Sequence, residues 1–136
     1  MVHCVWETKN REPVLIAERR TQMFAHILDN AKTKGIYIDT IGGHNDHVHC
    51  LISLGAEQTI AKVMQLIKGE ASFWANKNKL TGYKLEWAED YFAASVSELS
   101  IDKVRDYIKN QEDHHRKITF QEEYEKFINK HGFKLG

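Results

Sequence analysis

His47-Val48-His49-Cys50-Leu51-Ile52-Ser53-Leu54 alternates residue by residue, and the reading of that alternation decides the fold of the chain around it. A period of two is the signature of a strand whose successive side chains point to opposite faces. Val48, Cys50, Ile52 and Leu54 then share an apolar face suited to packing beneath helices, while His47, His49, Leu51 and Ser53 share the other. Two imidazoles at i and i+2 project side by side, a common way of presenting metal ligands. Two surface histidines on a half-exposed strand give the same pattern. Asp46 and His44 are near enough in sequence to orient or to ligate. The longer His-x-His-x-Asp-His signature of dinuclear hydrolases is broken by Cys50-Leu51-Ile52.

Working outward, residues 2–8 are rich in Val and Trp and read as a strand. Residues 16–34 place Ile16, Met23, Phe24, Ile27, Leu28 and Ala31 at helical spacing, with Gly35 as a stop. Ile36 to Ile41 is a β-rich run, and Gly42-Gly43 after it is a turn signal. Residues 59–77 repeat the helical period through Ile60, Val63, Met64, Ile67, Ala71 and Trp74. A strand is expected within residues 83–97, and two helices over 101–115 and 120–130. The order β-α-β-β-α-β predicts an α+β fold, the ferredoxin-like split βαβ: one antiparallel sheet with two helices on one face and a C-terminal helix beyond. It leaves the other sheet face open for a site. A single domain over residues 1–136 is expected, since no linker, repeat or low-complexity stretch interrupts the pattern.

Composition narrows the classes. Nineteen basic residues balance nineteen acidic ones, which argues against a protein that merely coats phosphates. No run of about 18 apolar residues is present, so no membrane partner is expected. The start, Met1 to Glu7, lacks the basic and apolar regions of a signal peptide, and a cytoplasmic location follows as the expectation. Cys4 and Cys50 fall within strands and read as buried reduced thiols.

The second chemical element is residues 104–115, Val104-Arg105-Asp106-Tyr107-Ile108-Lys109-Asn110-Gln111-Glu112-Asp113-His114-His115. Ile101, Val104 and Ile108 form an apolar stripe, and Tyr107 and Gln111 lie on one flank of it, one turn apart. Such a tyrosine commonly belongs to a core. A glutamine amide is a weak ligand that an oxygen-preferring divalent cation accepts once stronger ligands are present. His114 and His115 either contact phosphate or metal, or simply suit the helix C-terminus.

Together these residues resemble the single-tyrosine HUH transposases, the small insertion-sequence enzymes that move single-stranded DNA, repeat-associated tyrosine transposases included. The His-hydrophobic-His element corresponds to His47-Val48-His49, and the nucleophile helix with a metal-binding Gln four residues on corresponds to Tyr107 and Gln111. Val5-Trp6-Glu7-Thr8-Lys9, Tyr91 to Ser97, and Tyr107 through His114-His115 to Phe120 extend the likeness, which runs from about Val2 to Phe133. The resemblance implies cleavage and rejoining of single-stranded DNA at imperfect hairpins, with Tyr107 as nucleophile and a 5′-phosphotyrosine intermediate. It implies Mg²⁺ or Mn²⁺ on His47, His49 and Gln111; Asp46, His114 and His115 are candidate accessory groups by their position beside these motifs. It also implies a homodimer whose sites are shared between subunits.

Zero net charge departs from a typical DNA enzyme. Residues 59–84, however, carry Lys62, Lys68, Lys77, Lys79 and Lys84 against one acid, Glu70. Lys62, Lys68, Trp74, Lys77, Lys79 and Tyr83 are therefore the candidate DNA surface, and a solvated helix face is the alternative. Two other functions fit the same residues. One is a ferredoxin-like nucleic-acid-binding module with structural or zinc-binding histidines. The other is a domesticated relative that trims hairpins.

Overall fold

The computed structural model describes residues 1–111. Four strands form one antiparallel sheet: β1 (Val2–Glu7), β2 (Tyr37–His44), β3 (His47–Ser53) and β4 (Phe92–Ser95), in the order β2-β3-β1-β4. Helices α1 (Ala17–Thr33) and α2 (Ile60–Lys77) make the two crossovers, and α3 (Ile101–Lys109) follows β4. This is the split βαβ arrangement expected from the element order.

The alternation in β3 sorts its side chains as read. Val48, Cys50 and Ile52 join Cys4 and Trp6 of β1 in the main core, against Met23, Ile27 and Ala31 of α1 and Val63, Met64, Ile67 and Ala71 of α2. Leu54, just past β3, packs against the same core. Ile16 is an exception to the helical stripe, 44% exposed one residue before α1. Arg20, one turn on, is buried, its guanidinium donating to the Leu15 carbonyl (2.7 Å) and to Asn45 Oδ1 (3.0 Å).

Gly42-Gly43 is not the turn. Both glycines lie inside β2, paired with His49 and Val48, and the link to β3 is Asn45-Asp46. That link is pinned from outside by Thr8 N–H to the Asp46 carbonyl (2.9 Å) and Leu15 N–H to the Asn45 carbonyl (2.8 Å). Glycine is needed at position 42 for clearance instead. A Cβ there would collide with the Ile108 carbonyl oxygen and stand 3.0 Å from its carbon.

The second face of the sheet is covered, contrary to the expectation of an open one. Leu51 of β3 packs with Val96, Val104 and Ile108, and Ile101 borders the cluster. The amphipathic stripe of α3 needs an apolar partner, and the sheet face beside the imidazoles supplies it. Arg105 fastens this helix to β2. Its Nε and one terminal nitrogen donate to the two Asp39 carboxylate oxygens at 2.8 and 2.7 Å, and the other donates to Asp102 at 2.9 Å. Asp39 stands at the register shift between Ile38 and Thr40, and the Arg105 guanidinium holds its carboxyl below the usual range.

Candidate active site

His47, His49, Tyr107 and Gln111 meet where α3 lies over the sheet. His47 and His49 project from the same face of β3, their ring centroids 5.0 Å apart. Both are fully buried, which corrects the picture of imidazoles on an exposed face. Tyr107 descends from α3 with its ring edge-on to His49, 5.6 Å between centroids. His3 of β1, not singled out by sequence, completes the cluster: its ring is edge-on to Tyr107 at 6.0 Å, and its Nε2 lies 2.9 Å from His49 Nδ1. Burial pushes the His3 imidazole down to about 3, so this ring is neutral at physiological pH.

The helix ends sooner than its periodicity predicts. α3 stops at Lys109, with Asn110 as its cap, so Gln111 is just outside it. The Gln111 side chain still reaches back one turn: its Nε2 donates to the Tyr107 carbonyl at 3.1 Å. That bond turns the amide oxygen toward His47, whose Nε2 is 3.2 Å away. On the other side of the ring, His47 Nδ1 is 2.6 Å from Asp46 Oδ1, and Arg11 holds the second Asp46 oxygen at 3.2 Å. A carboxylate only accepts, so Nδ1 carries the proton and donates it. Asp46 thus orients His47, one of the two roles considered for it. His44 is farther off, 6.5 Å between ring centroids. His114 and His115 lie outside the described residues.

A divalent cation suits this donor set. With Nδ1 donating to Asp46, His47 turns Nε2 toward the Gln111 amide oxygen, and a cation between that nitrogen and that oxygen would be held by a lone pair from each. The 3.2 Å between His47 Nε2 and the Gln111 amide oxygen is a separation that two donors to one divalent cation would have. Among the described residues no group of three or more His, Cys, Asp or Glu side chains is arranged to hold a metal ion. The candidate centre is therefore two imidazoles and one amide oxygen.

The covered position of the histidines alters one expectation. Their double replacement by Ala, harmless to folding if the face were open, instead empties two buried sites beneath α3. It is expected to lower stability by on the order of 2 kcal/mol per site, read as a fall in the urea midpoint. An unchanged midpoint would mean that α3 does not cover the pair in solution.

The candidate DNA surface lies on the other side of the sheet and is only partly available. Lys68 is half-buried, donating to the Ala88 and Glu89 carbonyls at 2.9 and 3.3 Å, and this burial lowers its pKa. Trp74 stacks on His26, centroids 4.4 Å apart and planes 9° from parallel. Lys62, Lys77, Lys79 and Tyr83 are exposed, as is the neighbouring Phe73. No helix among the described residues is long and apolar enough to cross a membrane.

The fold is shared with solved structures carrying the transposase name. The chain superimposes with a TM-score of 0.64 on a crystal structure from Deinococcus radiodurans R1 bearing the description transposase, at 24% identity, covering 81% of this chain and 88% of that one. A REP-associated tyrosine transposase solved with a REP hairpin aligns with a TM-score of 0.60 at 19% identity, over 79% of this chain and 62% of that one. Residues 1–111 match the model of the IS200-like transposases, and the chain belongs to that family. In sequence it is 30% identical over 117 residues to the ISDra2 transposase TnpA of Deinococcus radiodurans, covering 82% of this chain and 83% of the relative.

Proposed function

We propose that this transposase cleaves and rejoins single-stranded DNA at hairpin-marked ends, with Tyr107 as nucleophile and Mg²⁺ or Mn²⁺ held by His47, His49 and Gln111. The observation that carries the reading is the Tyr107–Gln111–His47 linkage, in which one short segment brings a phenol and an amide oxygen to the imidazole pair. The chemistry supplied at such a centre is Lewis-acid polarisation of a non-bridging phosphate oxygen. Tyr107 Oη attacks the phosphorus and gives up its proton as the new P–O bond forms. The bond to the 3′-oxygen breaks, that oxygen takes a proton, and a 5′-phosphotyrosine remains. A later 3′-hydroxyl reverses the exchange and frees Tyr107, so no ATP is needed. Asp46 keeps the proton of His47 on Nδ1, away from the ligand side. A homodimer binding imperfect hairpins belongs to the same reading, supported by family membership.

The test is a covalent trap. A DNA hairpin with a single-stranded tail, incubated with the full-length chain and Mn²⁺, should give a protein–DNA adduct that survives denaturation, and EDTA should prevent it. A 5′-phosphate product with no adduct would point to a hydrolytic nuclease. Binding without cleavage under all metal conditions would favour a nucleic-acid-binding module.

A further inference from the structure

We infer that His3 is a positioning residue that accepts the Nδ1 proton of His49 and so directs the acceptor nitrogen of that ring to Nε2. The inference rests on the metal-centre reading above and deepens it. In the sheet register His3 opposes Leu51 and His49 opposes Val5, so the two histidines are diagonal neighbours on one face. At that offset aromatic side chains reach each other across an antiparallel pair. The 2.9 Å contact joins His3 Nε2 to His49 Nδ1, and one of these two nitrogens must donate.

The treatment of His47 gives the direction. There an acceptor-only carboxylate fixes the proton on Nδ1, and Nε2 is the atom turned to Gln111. His49 is likewise held at Nδ1 by a neighbour, and if it too is to ligate through Nε2, its Nδ1 must donate to His3. A partner that hydrogen-bonds the far nitrogen of a ligating imidazole fixes its tautomer and ring orientation, and its loss typically lowers metal affinity about 10–100-fold. His3 also walls the Tyr107 ring, so its loss has to be separated from a packing effect. Two variants do this. His3→Phe keeps a ring against Tyr107 and removes the hydrogen bond. His3→Gln places an amide acceptor near the former Nε2.

Nitrogen-15 NMR of the metal-free, full-length wild type reads the tautomer directly and needs no variant to fold. The expected result is a His49 ring protonated on Nδ1, with Nε2 bare. Titration with Mn²⁺ should then show an affinity about 10–100-fold lower for His3→Phe, with most of the loss restored in His3→Gln. A wild-type His49 protonated on Nε2, or a His3→Phe variant matching wild type in tautomer and Mn²⁺ affinity, would overturn the assignment. A wild type that binds no Mn²⁺ overturns the metal centre instead, a separate failure, since the tautomer is read without metal.

Discussion

Tyr107→Phe is expected to abolish the covalent protein–DNA adduct completely while leaving the fold and hairpin binding in place. The substitution removes one oxygen and keeps the ring, which is nine-tenths buried and seated edge-on against His3 and His49. Loss of one phenolic hydrogen bond changes stability by only about 1 kcal/mol, too little to unfold a domain of this size. The chemical loss is different in kind, because no atom remains to form the phosphotyrosine bond. Tyr37, Tyr83 and Tyr91 are exposed at 60, 62 and 36%, so solvent faces are open to them, but none is in ring contact with the imidazole cluster. An ordinary phenol has a pKa near 10 and is a poor nucleophile at neutral pH, so a tyrosine remote from any cationic centre is not an equal substitute. Peptide mapping of the wild-type adduct checks the assignment. A modified residue other than Tyr107, or an adduct that persists in Tyr107→Phe, would remove it.

Much of this site was legible in the sequence because it is built from two short-range patterns. The period of two through residues 47–54 places both imidazoles on one face, whatever they pack against. The one-turn offset of Tyr107 and Gln111 likewise needs no tertiary information, and it survives even though Gln111 falls outside the helix proper. What the sequence hid depends on pairing and approach. His3 belongs to the cluster only through the β1–β3 register, and nothing local sets that register. The sheet face that carries the imidazoles read as open, since periodicity shows α3 to be amphipathic without saying what it covers. Lys68 and Trp74 show how tertiary contacts add to what composition alone displays. Each has the composition of a DNA contact, yet the 88–89 backbone and His26 engage them inside the protein.

Gly42→Ala carries the second large expected effect, and its cause is a single collision. Gly42 lies within β2, where the α3 backbone passes close over the sheet. A methyl group at position 42 would overlap the Ile108 carbonyl oxygen and press on the Ile108 carbon and Cγ2, each 3.0 Å away. The first two of these atoms are backbone, so no rotamer change relieves the contact. Either the sheet or the helix must move. Overpacking of this sort costs about 1–3 kcal/mol, and here the strain falls on the residue next to Tyr107. A displacement of about 1 Å at the nucleophile is enough to lower the cleavage rate on the order of 10²-fold. Gly69→Ala is the matched control. It adds the same methyl group in the middle of α2, where nothing lies within 4 Å, and should stabilise by roughly 0.5–1 kcal/mol with cleavage unchanged. Urea denaturation and adduct-formation rates on the two variants separate the effects. Gly42→Ala with wild-type stability and wild-type cleavage would mean that α3 is not seated on β2 when the enzyme acts. Loss of stability and rate together, beside an unharmed Gly69→Ala, would show that the missing side chain at Gly42 sets the position of the nucleophile.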